Sequence, residues 1–300
     1  MREEKLNRRD FLNVAKSTLV GAGATVSMGS LAAVFGPLAW DAAQNKWNKE
    51  ELLGRIESCR QELEKRYGVK VGLSFEDFKP VDDIQGGKLF AAQIQSLYVR
   101  CKGIEGLKYL LALYPPELVT SFVKEIRLTD GLNMKRREED VGRSVGGTVD
   151  YEKKILITNI QDVFKTLQAM FNAVVPATKV HHELAHLFTQ HIPADEWRAL
   201  HPGGSYLGEL SMLLGERGKV PQGFVNRHSL SNEAEDQATI VEIMFSREDV
   251  YAKYKEDPII SRKITYLEKW YEKISKGRIN AQYWIDVRRG DIQEGYWDRR

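Results

Sequence analysis

Cysteine is scarce. The 300 residues contain two, Cys59 and Cys101, which excludes a disulfide-built scaffold and a metal site made of cysteine clusters. Spacing alone leaves open whether these two pair or remain as buried thiols. An excess of one charge is also missing. The 44 Lys plus Arg are interspersed with 42 Asp plus Glu, so no basic stripe suited to nucleic acid or to an anionic membrane is present. Nucleic acid is therefore not an expected partner. Neither a collagen-like nor a disordered composition fits, and no internal repeat or low-complexity linker interrupts the chain. What is present is ordinary globular material, 42% hydrophobic and 29% charged, long enough to bury a sizeable core.

The N-terminus differs from the rest. Asn7-Arg8-Arg9-Asp10-Phe11-Leu12 precedes an uncharged, Gly/Ala-rich run from Ser17 to Trp40, and the pair resembles a twin-arginine export signal. Gly21, Gly23, Gly29 and Gly36 dilute the hydrophobicity that a membrane-spanning anchor needs. No clean Ala-x-Ala site stands close before Asp41, so retention of the segment as an N-terminal anchor is the other reading. Residues 1–40 are expected to be this signal or anchor. The protein is then periplasmic or extracellular, with membrane attachment only through an uncleaved signal. The segment carries Arg2, Lys5, Arg8, Arg9 and Lys16 against Glu3, Glu4 and Asp10, so the remainder is electrically neutral.

Residues 48–300 read as one α+β domain, with a small mixed sheet followed by a mainly helical part. Leu52, Leu53, Ile56, Cys59, Leu63 and Tyr67 recur at helical spacing, with Gly68 at the expected C-cap. Val69, Val71, Leu73 and Phe75 alternate as a strand. Helices are expected from about Lys88 to Tyr114, and again from Pro115-Pro116 to Phe122. Val123, Ile126 and Leu128 suggest a strand, 129–147 a polar, turn-rich segment, and Lys154–Thr158 a further strand. Helical patterns follow near 161–172, 174–190, 231–247, 256–276 and 279–289.

The sharpest feature is His182-Glu183-Leu184-Ala185-His186, on a predicted helix. At about 100° per residue the two histidines lie about 40° apart, so both imidazoles can meet one Zn²⁺. Glu183 then sits where it can take a proton from water on the metal. Leu184, Leu187 and Phe188 face away and can bury the helix in the core. His181 and His191 do not share the register of the pair and are expected to be packing or surface residues.

Two histidines leave a catalytic zinc one protein ligand short. A third histidine at metzincin spacing is excluded, because Thr189 and Ile192 stand where that pattern needs Gly and His. A carboxylate on the later helix opening at Ser231-Asn232-Glu233-Ala234-Glu235-Asp236 is the better solution, with Glu235 the leading candidate and Glu233 and Glu209 the alternatives. Asn232-x-x-Glu235 also reads as a capping box, a competing task for the same side chain. Asp236 is either a carboxylate orienting a ligand histidine or a favourable charge in the first helical turn.

With these motifs the chain resembles gluzincin-type zinc metallopeptidases, and more closely the secreted bacterial zinc-binding metallopeptidases related to lethal-factor-like proteases. The resemblance spans roughly residues 105–245 and includes the run from Gly223-Phe224-Val225 to Glu235-Asp236-Gln237-Ala238. It implies a zincin-like fold and a hydrolase that cleaves peptide or protein substrates with Zn²⁺ on His182, His186 and Glu235. Glu183 would be the general base. Those proteases place an oxyanion-stabilising Tyr seven residues before the ligand Glu, where this chain has His228, which can still donate a hydrogen bond. Tyr206 is the substitute candidate. Ile155–Thr158 is expected to be the edge strand that receives an extended peptide, the other reading being an interior strand, with Gly146-Gly147 beside it as a turn, a bulge or a site of substrate approach. The alternative function is a zincin-fold binding or scaffolding protein of the cell envelope that does not hydrolyse peptides. Lys135-Arg136-Arg137, followed at once by Glu138-Glu139-Asp140, is expected to be a solvated loop, and the C-terminal aromatics are expected to pack the last helices.

Overall fold

The computed structural model describes residues 48–73, 88–92, 94, 97–135, 143–144, 146–163, 179–208, 220–292 and 296–299. Asn48 apart, these fall in the second of two compact units, Met1–Asn48 and Lys49–Arg300. The export signal or anchor expected over residues 1–40, the charged loop from Arg136 to Asp140, and Glu209 lie outside the described residues.

Helix α1 (Lys49–Tyr67) buries Leu52, Ile56, Leu63 and Tyr67, leaves Cys59 half-buried, and exposes Leu53. It stops at Gly68, whose φ of +61° is a left-handed cap that a side chain would strain. Strand β1 (Lys70–Gly72) follows, shorter than its alternating pattern suggested. Lys88–Ala92, expected as the start of a helix, is instead strand β2, and helix α2 begins only at Leu97 and runs to Leu111. Helix α3 (Pro116–Phe122) starts with Pro116 in its first turn, where the missing N–H costs nothing. Strands β3 (Glu125–Thr129), β4 (Gly131–Lys135), β5 (Arg143–Ser144), β6 (Gly147–Asp150) and β7 (Ile155–Asn159) come next.

The segment read as polar and turn-rich therefore holds β4 and β5. Together with β2 they form a small antiparallel sheet ordered β2-β4-β5, with Phe90 opposite Asn133. The reason for both misreadings is the same. Lys88-Leu89-Phe90-Ala91-Ala92 is too short for its period to separate helix from strand, and the partner that decides the matter lies far along the chain. The main sheet has the order β1-β3-β7-β6, with β1, β3 and β7 parallel and β6 antiparallel to β7.

A helical turn at 160–163 follows β7. Then come α4 (Lys179–Thr189), α5 (Ala194–Ala199), α6 (Glu233–Met244), α7 (Glu248–Lys255), α8 (Pro258–Ile274) and α9 (Ala281–Arg289). Helices α5 and α7 were not legible, being short, and α7 buries only Tyr251. Asn232, Asp257 and Asn280 cap α6, α8 and α9 by accepting backbone N–H groups.

Helix α4 lies between β6 and β7 on one side and α6 on the other. Every residue from Val180 to Thr189 is consequently buried. Below it Phe188 meets Tyr114, Phe122 and Tyr271, and Trp270 donates its indole N–H to the Phe188 carbonyl at 2.9 Å. Tyr283, Trp284, Tyr296 and Trp297 are buried too, the packing role expected of them. The architecture is α+β: a small mixed sheet, the helix that carries His-Glu-x-x-His, and a mainly helical remainder. Cys59 and Cys101 are both free. Among the described residues no helix is long and apolar enough to cross a membrane.

Candidate metal centre

Helix α4 presents His182 and His186 one turn apart, with ring centroids separated by 4.8 Å. Helix α6 packs against it and brings Glu235 opposite both. The Glu235 Oε2 atom lies 3.0 Å from His182 Nε2 and 3.6 Å from His186 Nε2, and the three ligand atoms fall within 4.8 Å of one another. A tetrahedral Zn²⁺ with bonds of about 2.0–2.1 Å has ligand–ligand edges of about 3.3 Å. The 3.0 and 3.6 Å edges bracket that length, and two imidazoles with a carboxylate are a zinc donor set. The residues fit a metal ion of this kind.

The competition for Glu235 is settled by dividing the cap. Asn232 Oδ1 accepts the Glu235 backbone N–H at 2.9 Å, while the Glu235 carboxylate turns toward the histidines. Glu233 pairs with Arg198 and does not join the cluster. Burial alone would raise the Glu235 pKa, but hydrogen bonds from His182, His186 and His228 hold it far below the usual carboxylate range. Burial likewise opposes charge on His182, yet Glu235 and Glu242 outweigh it and raise its pKa to about 9.

Glu183 is buried, and that burial raises its pKa against the pull of His182 and His186. Its carboxylate stands against the backbone of β6: a Cβ on Gly147 would come within 2.6 Å of Glu183 Cγ and Cδ. Gly147 is thus a glycine because the strand passes directly over the side chain. The expected edge strand needs correction. Strand β7 is interior, paired to β3 and β6, and β6 forms the edge among the described residues. The peptide N–H of Asn159 donates to Gly146 O at 3.0 Å, extending that ladder.

His228 stands on a 3-10 turn (His228–Leu230) just before α6. Its Nε2 lies 2.7 Å from Glu235 Oε2, its ring stacks on His182 at 5.4 Å, and about a third of its side chain is exposed. Tyr206 does not reach the centre, because its hydroxyl donates to Asp236 Oδ2 at 2.8 Å. Asp236 takes the second of the two roles expected of it, an acidic residue in the first turn of α6, rather than that of a carboxylate orienting a ligand histidine. It is fully buried and also accepts from Trp197 Nε1 at 2.9 Å and from Lys263 Nζ at 2.7 Å. His181 is buried against Tyr114 and stacked on Phe245, and His191 is exposed, both outside the cluster.

Two residues of the site went unread in the sequence. Glu242 Oε1 lies 3.1 Å from His182 Nδ1 and 3.4 Å from Lys179 Nζ, a close ion-pair contact rather than a well-aligned hydrogen bond. The available signal was its position seven residues after Glu235, on the same face of α6. Tyr151, in the turn after β6, is half-buried; burial, then the charges of Glu235 and Glu183, push its pKa up to about 12, so the phenol keeps its proton. Only strand pairing brings it there, and no local pattern could reveal it.

No protein-family model and no curated protein matches the chain. Among solved structures the chain is similar to a crystal structure from Bacteroides caccae that bears the name "putative zinc-binding metallo-peptidase". The likeness covers 84% of this chain and 98% of that one, at 14% identity and a TM-score of 0.49. The geometry of the centre stands independently of it.

Proposed function

We propose that this protein is an exported zinc-dependent peptidase of the zincin type. The observation that carries the reading is the convergence of His182, His186 and Glu235, with ligand atoms within 4.8 Å, beside a buried Glu183. Zn²⁺ held there would polarise the scissile carbonyl and make water acidic enough to attack near neutral pH. Glu183 takes the proton from the attacking water and returns it to the leaving amine, a task suited to a carboxylate whose pKa burial has raised. His228 donates to the developing oxyanion from the half-exposed side of the cluster. An extended peptide adds by main-chain hydrogen bonds to the side of β6 that no strand covers among the described residues, which draws its backbone past Glu183. Export, and the periplasmic or extracellular location that follows, rests on the twin-arginine pattern alone.

The test is metal content followed by turnover. Protein lacking residues 1–40 should hold one zinc per chain, lost or greatly weakened in His186→Ala and Glu235→Ala. With a peptide library, Glu183→Gln should keep its zinc and lose activity by about 10²–10⁴-fold. Loss of zinc and turnover together in Glu183→Gln would contradict the separation of base from ligands. Peptide capture without cleavage by zinc-loaded wild type would point to a binding protein.

A further inference from the structure

The two candidate ligand histidines are held unequally. His186 Nδ1 is buried and has no hydrogen-bond partner among the described residues. His182 Nδ1 makes no well-aligned hydrogen bond either, but a carboxylate stands at each of its nitrogens: Glu235 faces Nε2 at 3.0 Å, and Glu242 is in ion-pair contact with Nδ1 at 3.1 Å. Both carboxylates come from α6. Seven residues at about 100° each fall about 20° short of two full turns, so Glu235 and Glu242 form one stripe along that helix. Behind Glu242 stands Lys179, one turn before His182 on α4, with Nζ 3.4 Å from the same Oε1. Helix α4 thus supplies both the imidazole and the cation that hold the α6 carboxylate between them.

We infer that Glu242, backed by Lys179, is a positioning residue that fixes the ring orientation and tautomer of His182 so that Nε2 is the nitrogen offered to a divalent cation. The inference rests on the reading of His182, His186 and Glu235 as metal ligands. Three features carry it. Glu242 is only 4% exposed, so its carboxylate is held in place by the groups around it and not by solvent, while the partly exposed Lys179 backs it from the rim. The carboxylate meets the ring at the nitrogen that faces away from Glu235, which reserves Nδ1 as the donor and Nε2 as the ligand. Lys179 Nζ stands 3.4 Å from the same Glu242 Oε1 that faces the ring, so the carboxylate is held between the imidazole and a cation of α4. Asp236, the carboxylate next to Glu235, is engaged instead with Lys263, Trp197 and Tyr206.

Glu242→Gln keeps the side-chain shape and removes the charge. At fixed pH, competition with a chromophoric chelator should show Zn²⁺ affinity about 10- to 100-fold weaker than wild type. Co²⁺ bound in place of zinc should show shifted visible absorption bands, a signature that loss of packing alone would not move. Wild-type zinc affinity together with an unchanged Co²⁺ spectrum in this variant would overturn the inference. Should Glu242→Gln not fold, Lys179→Met carries the same test, with weaker zinc binding and a shifted Co²⁺ spectrum expected and unchanged values overturning it. The metal reading fails separately: wild type that binds no zinc, or that keeps it after His186→Ala, would remove the ligand set and the positioning role with it.

Discussion

Glu235 and Asp236 are neighbours on α6, both carboxylates turned inward, yet they anchor opposite kinds of buried polar structure. Asp236 is closed. Its Oδ2 accepts from Lys263, Trp197 and Tyr206, and Lys263 Nζ donates onward to Gly223 O at 2.6 Å, with Asp236 and Lys263 side chains wholly buried. Burial raises the Asp236 pKa and lowers that of Lys263, while their mutual attraction opposes both shifts. Glu235 makes no ion pair with a lysine or arginine among the described residues; three imidazoles face its Oε2 instead, at 2.7–3.6 Å. The difference shows how one step along a helix, about 100° of rotation, separates a structural ion pair, whose positive charge is covalently built in, from a site suited to receiving one.

Breaking each region should therefore give opposite losses. Lys263→Met leaves Asp236 buried without its cation and should cost about 3–5 kcal/mol in chemical denaturation, while the folded fraction still binds one zinc. Glu235→Ala should lose zinc. If Lys263→Met lost zinc at full folded occupancy, the two regions would not be separable. Within the metal site, His228→Ala should lower kcat about 10²–10³-fold with zinc retained, the range for removal of an oxyanion donor. Unchanged kcat would leave His228 as a partner of Glu235 only.

This contrast was half legible in the sequence. The spacing of His182 and His186 is a property of one helix and could be read directly, as could the burial of Leu184, Leu187 and Phe188. Glu235 was readable only as a competition with the Asn232 cap, because the same spacing serves both tasks. The partner of Asp236 sits on α8, and no local period connects the two helices. Glu242 lay in plain view on the Glu235 face, but nothing local identifies which inward carboxylate meets an imidazole. The edge position of β6 and the approach of Gly147 to Glu183 follow from pairing with β7, a contact between strands that periodicity does not encode.

Gly147 offers a smaller break on the metal-site side alone. Gly147→Ala would push a methyl into Glu183, and overpacking of this kind costs about 1–3 kcal/mol. Activity should fall while zinc content and the Asp236–Lys263 pair are undisturbed. An alanine variant with wild-type kcat would mean that Glu183 can shift without consequence.

Adjacent histidines in metal-free protein give a break that is read as a pH dependence. His181 has its pKa lowered from 6.5 to about 3, because burial disfavours its charge and Glu242 only partly offsets that. Below pH 6.5 the unfolded chain takes up a proton that the folded chain refuses, so stability falls by at most about 1.4 kcal/mol per pH unit down toward pH 3. His182 has the opposite sign. With a folded pKa of about 9, its contribution is fully present below 6.5 and is lost as pH rises toward 9. Denaturation of the metal-free protein across this range should show that His181→Gln flattens the acid limb and His182→Gln the alkaline one. If both substitutions moved the same limb, the two rings would share one environment, and the separation of a core histidine from a ligand histidine at adjacent positions would fail.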